Sequence, residues 1–147
     1  MPDTKLLQDD YDDGLIRQFF RTARAFSRTL NGAVSQEDIH SSEWMVLNLT
    51  ARHPGIMQGE LIQRLGVEPA AISRTLTRLE KKGIICRESG RERGNAIRLT
   101  AKGETAVKKL SRPVTEHRQQ ALRGFSTEER EQLMSFMMRM ADNLQQK

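Results

Sequence analysis

The chain has 147 residues and a formal net charge of +5, and this length predicts one domain that can fold without disulfides or metals. The single cysteine excludes a disulfide framework within the chain and a multi-cysteine zinc finger. No apolar run approaches the roughly 18 residues of a membrane span, and the acidic N-terminus is unlike a signal peptide, so we expect a soluble, cytoplasmic protein with no membrane partner.

Two amphipathic helices are predicted in the first third of the chain. In residues 14–30 apolar side chains recur at three- and four-residue steps, and Asn31-Gly32 is expected to end this helix. The second helix is expected to begin at Ser41 or Ser42, either of which can cap it, and to end at Pro54-Gly55. Each helix has one broad apolar face that has to be buried.

The next segment predicts two short helices followed by a hairpin. The helices cover residues 58–65 and 69–82, and each closes at a glycine, which predicts a helix-turn-helix unit. Two short apolar strands follow at residues 84–88 and 95–100, with turn residues and arginines in segment 89–94 between them. A helix-turn-helix followed directly by a basic hairpin is a winged helix-turn-helix.

Two more helices are predicted after the hairpin. Thr100 is expected to cap a helix from Ala101 to about residue 122, and Pro113 is expected to kink or break it near Arg112. The last helix opens with a capping box at residues 126–129. The predicted fold class is therefore mainly α (α+β), a winged helix-turn-helix with further helices at both ends of the chain.

The basic excess is confined to the winged region. Residues 60–112 carry a net charge of +7, residues 1–59 carry −2 and residues 113–147 carry 0. A basic region between acidic and neutral ones is typical of a polyanion-binding surface. On charge alone, a solvated basic helical surface is an equally good interpretation.

Three segments of this region resemble the MarR family of bacterial transcriptional regulators. They are GELIQRLGV at 59–67, ISRTLTRLEKKGIICR at 72–87 and RLTAKG at 98–103. The resemblance covers about residues 40–104 by motif and the rest by the order of elements. It implies an obligate homodimer whose subunits each present one winged helix to double-stranded DNA. It also implies repression through a palindromic operator and, in many members, release by a small aromatic or lipophilic ligand.

The resemblance also suggests which parts of the chain form the dimer and which part binds DNA. Residues 1–36 and 104–147 are expected to form a helical dimerisation region, and residues 37–103 the DNA-binding domain. Apolar stripes on the first and last helices are the candidate dimer contacts, although any one of these residues could instead belong to the core of the monomer. The stripes consist of Leu15, Ile16, Phe19, Phe20, Leu133, Phe136, Met137, Met140 and Leu144.

Residues 69–82 are the expected recognition helix, with the N-terminal half facing base edges in the major groove. Arg74 is the candidate for a bidentate contact to guanine, and a phosphate contact or a salt bridge is its alternative role. Phosphate contacts are expected from the two threonines and Arg78 of this helix, and from amides at the start of the preceding helix. The full set outside the wing is Gln58, Gly59, Ala70, Ala71, Ser73, Arg74, Thr75, Thr77 and Arg78.

Arg91 and Arg93 at the wing tip are expected to enter or flank the minor groove, and a solvated loop is the alternative. The family commonly has an aspartate two residues before the tip arginine, whereas Arg91 stands at that position here. Either Glu92 replaces the brace that the aspartate would provide, or Arg91 adds a second basic contact.

No catalytic motif or metal-ligand spacing is present, so we expect neither enzyme activity nor a cofactor or metal. Cys86 is expected to be an inert packed thiol, with a redox switch as the alternative. Phe20, Arg24, His40 and Trp44 are candidates for lining an effector crevice, although Trp44 could simply be core. A non-specific architectural DNA-binding protein is the alternative function, and a protein-interaction module is a third.

Overall fold

Six α-helices, one short 3₁₀ helix (Ser35–Glu37) and three short strands form the regular structure of residues 4–89 and 94–145, which a computed structural model describes. The helices are α1 (Thr4–Val34), α2 (Ser41–Arg52), α3 (Gln58–Leu65), α4 (Pro69–Lys81), α5 (Ala101–Ala121) and α6 (Thr127–Gln145), and the strands are β1 (Ile56–Met57), β2 (Ile85–Glu88) and β3 (Ala96–Leu99). Within these ranges no helix is long and apolar enough to cross a membrane. The predicted order of helices and hairpin, and with it the mainly α winged-helix fold, is confirmed.

Helix α1 is longer at both ends than the sequence pattern predicted. It begins at Thr4 and continues through Asn31-Gly32 to Val34. A glycine inside a helix costs about 1 kcal/mol relative to alanine, but Leu30 and Val34 are buried on either side of this one. Burying such side chains contributes about 1.5–3 kcal/mol each. The expected stop at Asn31-Gly32 is wrong because packing outweighs local propensity.

Helix α2 is capped by a histidine and not by the expected serine. The Nδ1 atom of His40 accepts a hydrogen bond from the backbone amide of Ser42 at 3.3 Å, and the Glu43 carboxylate accepts one from the backbone amide of His40 at 2.9 Å. Both serines lie inside the helix, and the backbone amide of Ser41 donates to the side-chain oxygen of Asn31 at 2.6 Å. This is a capping box in which an imidazole replaces the usual hydroxyl.

The helix-turn-helix unit has its predicted bounds to within one residue. Helix α3 ends at Leu65 and is capped by Gly66, whose backbone is left-handed with φ at 61°, and Pro69 stands in the first turn of α4. A missing amide needs no partner at that position. Ile72, Leu76 and Leu79, spaced three and four residues apart, face the core with at most 2% exposure and form the buried face of α4.

The sheet contains a strand that the sequence pattern did not predict. Its order is β1-β3-β2, and both pairings are antiparallel. Ile56 of β1 pairs with Ile97 of β3, and Ile85 of β2 pairs with Leu99 of β3. A strand of two residues is too short to show alternation, and periodicity therefore gives no sign of β1. Strand β1 connects the segment between α2 and α3 to the wing through its pairing with β3.

The motifs behind the family resemblance are in direct contact with each other. The Thr100 hydroxyl lies 2.6 Å from the Gly83 carbonyl and 3.1 Å from the Ile84 carbonyl, and its oxygen accepts from the Gly103 amide at 3.1 Å. Thr100 therefore caps α5 as predicted. Gly103 packs so closely on Ile84 that a Cβ atom there would overlap with the carbonyl oxygen. The end of α4 and the start of α5 form one tight joint.

Helix α5 is continuous from Ala101 to Ala121 with Pro113 inside it, so of the expected kink or break near Arg112 the break is wrong, and the kink stays a prediction. The proline removes one backbone hydrogen bond and crowds the carbonyl four residues earlier. Leu110 and Val114, on either side of it, are 0% and 3% exposed. Their burial holds the helix together across this position.

The chain divides into two compact units, residues 1–117 and residues 118–147. The first unit contains the hydrophobic core, to which α1, α2, α4, α5 and the sheet all contribute. The second contains α6, which opens with the predicted capping box: the Glu129 amide donates to the Ser126 hydroxyl at 3.1 Å, and the Ser126 amide donates to the Glu129 carboxylate at 2.9 Å. The expected dimerisation and DNA-binding regions are functional divisions and stay predictions.

Candidate nucleic-acid interface

Helix α4 turns a polar face to solvent, opposite its buried stripe. Ala70, Ser73 and Arg74 are exposed, while Ala71 and Thr77 are half-buried. These positions recur at steps of three and four residues, so they lie on one side of the helix. The small side chains at the N-terminal end of this face leave room for close approach of a partner surface.

The basic side chains of the winged region differ in whether a carboxylate lies beside them. Four are paired with carboxylates of the same chain: Arg64 with Glu60, Lys82 with Glu43, Arg87 with Glu80, and Arg98 with Glu88. On α4, by contrast, no carboxylate among the described residues lies within 4 Å of Arg74, Arg78 or Lys81. The salt-bridge alternative for Arg74 therefore has no partner in this part of the chain.

Thr75 does not reach the surface of the recognition helix. It is 6% exposed, and its hydroxyl accepts a hydrogen bond from the Arg78 guanidinium at 3.1 Å. Its place next to Leu76 on the buried stripe puts it on the core side. The phosphate contact expected of Thr75 is not compatible with this burial. Its hydroxyl instead helps to orient Arg78, which is exposed.

The start of helix α3 offers one of the two amides that were expected to face a phosphate. The backbone amide of Gln58 donates to the Asn95 carbonyl at 2.9 Å, which extends the pairing between β1 and β3. That amide is therefore not available, and Gln58 could contribute only its half-buried side chain. Gly59 is exposed, and an amide in a first helical turn has no carbonyl of its own helix to bind.

A salt bridge connects the wing to the recognition helix. The Arg87 guanidinium of β2 donates to both Glu80 oxygens, at 3.3 and 3.2 Å, and to the Thr77 hydroxyl at 3.3 Å. The hydrogen bond from Arg87 lowers the pKa of Glu80 below the usual glutamate value of 4.5. Thr77 also donates to the Ser73 carbonyl of its own helix at 3.0 Å. This contact aligns β2 with α4.

The wing tip, with Arg91, Glu92 and Arg93, lies outside the described residues, so its expected contacts stay predictions. The strands that lead to it are described, and Cys86 pairs with Arg98 across them. Cys86 is exposed, because strand alternation sends Ile85 to the core and its neighbour outward. The expectation of a packed thiol is therefore wrong.

The four side chains expected to line an effector crevice have different environments. Trp44 is 3% exposed and belongs to the core. His40 caps α2 with its side chain, and Phe20 and Arg24 lie on the exposed side of α1. Trp44 has a structural role, and the crevice stays a prediction. In residues 4–89 and 94–145 no group of three or more His, Cys, Asp or Glu side chains could hold a metal ion.

Helices α1 and α6 each carry apolar side chains that nothing in the described part of the chain covers fully. The nine residues of the predicted dimer stripes are between 36% and 86% exposed. In α6 no described residue is buried. The same helix exposes Met134 and Met138 as well, at 56% and 57%. Large contiguous apolar surface on a soluble chain marks an interaction site.

A buried carboxylate lies where the sequence indicated only a helix start. Glu43 is 2% exposed and lies 3.1 Å from the Lys82 ammonium, at the end of α4. Its position in the first turn of α2 predicts the hydrogen bond to the helix start. The contact with Lys82 joins residues 39 positions apart, and no local pattern could have shown it.

Comparison with known proteins places this geometry among transcription regulators. A model of the MarR family matches residues 37–94. The chain is similar to a MarR/EmrR family transcriptional regulator from Acinetobacter sp. ADP1, with a TM-score of 0.81, 25% identity and coverage of 92% of this chain and 98% of the other. It is also similar to a mutant of MarR from E. coli complexed with operator DNA, with a TM-score of 0.76, 25% identity and coverage of 86% and 93%.

A third solved structure shares the fold. It is the PcaV transcriptional regulator from Streptomyces coelicolor in complex with its natural ligand, with a TM-score of 0.74, 24% identity and coverage of 85% of this chain and 89% of the other. All three alignments extend well beyond the winged region, so the similarity includes the terminal helices.

Proposed function

We propose that the chain is a sequence-specific repressor of the MarR family, whose model matches residues 37–94, and that it binds a palindromic operator as a homodimer. The observation that carries the proposal is the exposed face of α4, where Arg74 and Arg78 lack carboxylate partners among the described residues. An exposed helix with unpaired cations fits the major groove of DNA in both shape and charge.

Base reading is proposed for the N-terminal half of α4. Ala70 and Ala71 allow close approach, and an alanine methyl can contact a thymine methyl. Ser73 can donate or accept a hydrogen bond at a base edge. Arg74 is exposed and can bind the O6 and N7 atoms of guanine with two parallel hydrogen bonds.

Phosphate contacts are proposed for Arg78, Thr77 and the Gly59 amide, which would fix the register of α4 without reading sequence. Arg91 and Arg93 of the wing are proposed to enter or flank the minor groove. Thr75 is left out of this set because it is buried beneath Arg78.

Dimerisation is proposed to bury the exposed stripes of α1 and α6. These helices are amphipathic, and the covered face of a twofold dimer is the same on both subunits. Such a dimer would place two copies of α4 about 34–36 Å apart, one turn of DNA, and an operator with twofold symmetry follows from that arrangement. A regulator of this kind, acting on chromosomal DNA, would work in the cytoplasm.

A small aromatic or lipophilic effector is proposed to release the operator. The structurally similar PcaV regulator binds a natural ligand, and the exposed Phe20 and Arg24 of α1 offer an aromatic surface and a cation for a ligand of the proposed class. The effector would shift operator affinity only as far as it binds the released form more tightly than the DNA-bound form.

A footprint on the DNA upstream of the coding region tests the proposal. A protected palindrome that survives an excess of unrelated competitor DNA is the expected result. Protection that competitor DNA removes in proportion to its mass would point to the architectural alternative. Repeating the footprint with a series of aromatic acids tests release, and protection that no ligand in the series changes would count against an effector of this class.

A further inference from the structure

A buried ion pair joins helix α2 to the end of the recognition helix. One oxygen of Glu43, Oε1, accepts hydrogen bonds from the His40 amide at 2.9 Å and from the Lys82 ammonium at 3.1 Å. The other oxygen, Oε2, is buried and has no hydrogen-bond partner among the described residues. An ionised carboxylate that is 2% exposed is costly to bury unless a cation stays beside it. Among the described residues, Lys82 is the cation in contact with it.

Lys82 connects four parts of the fold. Its backbone is the C-cap of α4, and its ammonium also donates to the Asp38 carbonyl in the connection between α1 and α2, at 2.6 Å. Its own carbonyl accepts from the Lys102 ammonium at the start of α5, at 2.7 Å. The C-cap residue of the recognition helix is thereby held against α2, α5 and the connection between α1 and α2.

We propose that Glu43 and Lys82 form a latch that positions α4 for DNA reading, so that operator affinity depends on a carboxylate that does not touch DNA. The proposal rests on the proposed function. Arg78 and Arg74 lie four and eight residues before Lys82 in the same helix, which is about 6 and 12 Å along its axis. Because the helix moves as a rigid body, a shift of its end also displaces both arginines. Glu43 therefore acts through Lys82 as a positioning residue.

The alternative role for Lys82 is a direct phosphate contact, since its side chain is 30% exposed. The two roles differ in their dependence on salt. A lysine that neutralises one phosphate contributes about −0.9 to the slope of log affinity against log salt. Substitution of a positioning residue changes the affinity and leaves that slope unchanged. Glu43 is an anion, so its loss cannot alter the number of counterions that the protein releases from DNA.

Glu43→Gln is the deciding variant, because glutamine keeps the volume and the acceptor for the His40 amide while the charge is lost. We expect it to weaken operator binding about tenfold with an unchanged salt slope. Lys82→Met should weaken operator binding at least as much as Glu43→Gln, with the same salt slope. Lys82→Arg should retain most of the wild-type affinity. The double variant Glu43→Gln/Lys82→Met should bind little more weakly than the weaker of the two single variants. Lys81→Met removes a neighbouring exposed charge and is the matched control.

A second readout needs no DNA. The amides of residues 82–84 donate to carbonyls of Arg78, Glu80 and Leu79, and a loosened helix end exposes them to solvent. Hydrogen exchange at these three amides should be faster in Glu43→Gln and Lys82→Met and unchanged in Lys81→Met. Thermal unfolding of each variant shows whether it is folded, and Glu43→Gln keeps the test available if Lys82→Met does not fold.

If Glu43→Gln binds the operator with wild-type affinity, the latch is overturned. If, in addition, the salt slope of operator binding is about one unit smaller in Lys82→Met than in the wild type, Lys82 is a phosphate contact. If the wild-type protein binds no DNA, the proposed function fails and the DNA-reading role of the latch fails with it. In that case the exchange data report whether the ion pair still holds the end of α4.

Discussion

The winged-helix region and the helices at the two ends of the chain use the same periodicity to opposite effect. In α3 and α4, Leu61, Leu76 and Leu79 are completely buried within the chain. In α6, Phe136 and Leu144 recur at helical spacing as well, yet they are 54% and 86% exposed. The pattern identifies an apolar face but not what covers it. The winged-helix residues are buried in the core that the chain forms, whereas α6 leaves its apolar face exposed, and we propose that a second subunit covers it.

The largest expected effect comes from placing a charge on the exposed stripe of α6. Phe136→Glu should prevent dimerisation, because a carboxylate cannot be buried against an apolar partner face without a cation. A monomer engages one half-site, and loss of the second should weaken operator binding by about 10²–10⁴-fold. Sedimentation should show the mass halved, and circular dichroism should show the helices retained.

Ser135→Glu is the control for that variant, since it adds the same charge to the adjacent residue on the other side of the helix. We expect it to stay dimeric. A wild-type protein that sediments as a monomer at micromolar concentration would remove the basis of this prediction, and so would a Phe136→Glu protein that remains dimeric.

Two glycine-to-alanine substitutions should change stability in opposite directions. Gly103 of α5 packs on the Ile84 carbonyl, and an added Cβ would overlap with it, so Gly103→Ala should cost about 1–3 kcal/mol of unfolding free energy. A Cβ at Gly32 of α1 meets nothing within 4 Å, and Gly32→Ala should gain about 0.5–1 kcal/mol. Denaturant titration measures both. Equal effects of the two substitutions would contradict the tight joint between α4 and α5.

Arg74→Ala should separate base reading from phosphate binding. If Arg74 binds guanine, its loss should reduce discrimination between the operator and unrelated DNA by about 1–3 kcal/mol. Affinity for unrelated DNA should change little by comparison. Competition binding at fixed salt measures the difference, with Lys81→Met as a control for the lost charge. A uniform loss on both DNAs, with a smaller salt slope, would instead make Arg74 a phosphate contact.

Sequence patterns predicted what depends on neighbouring residues. The bounds of α3 and α4, the cap at Thr100 and the capping box at Ser126 were all predicted because each is set within one or two helical turns. The expected stop at Asn31-Gly32 is wrong, and α5 does not break at Pro113, for one shared reason. Both are local rules, and burial of residues on either side, such as Leu30 and Val34 around the glycine, outweighs them.

Contacts between distant segments were beyond prediction from the sequence. The capping role of His40 depends on how the chain enters α2, and the pairing of Lys82 with Glu43 depends on the whole packing of the winged region. Thr75 shows the same limit within a helix. Its polar type favours an exposed position, but its register next to Leu76 and three residues after Ile72 puts it in the core.

Arg93→Ala addresses the wing, which the sequence alone predicts to contact DNA. Removal of one groove or phosphate contact should lower the salt slope of operator binding by about one unit. The loss of affinity should be greater at low salt than at high salt. A salt titration by fluorescence anisotropy measures both quantities. An unchanged affinity at every salt concentration would leave Arg93 in a solvated loop, and DNA reading would then rest on α4.

The smallest expected effect concerns the contact between the wing and α4. Because Arg87 lowers the pKa of Glu80 in the folded chain, this salt bridge stabilises the fold above the ordinary pKa of glutamate. The stabilisation is lost as the pH falls through the lowered pKa. Unfolding free energies of wild type and Glu80→Gln should therefore differ at neutral pH and converge at acidic pH, below the lowered pKa of Glu80. Glu88→Gln, in the more open pair with Arg98 at 3.6 Å, should differ less from wild type at neutral pH. If wild type and Glu80→Gln differ by the same unfolding free energy at neutral and at acidic pH, the carboxylate of Glu80 does not hold β2 against α4. The alignment of the wing then comes from the apolar contacts of Ile85 and Ile97.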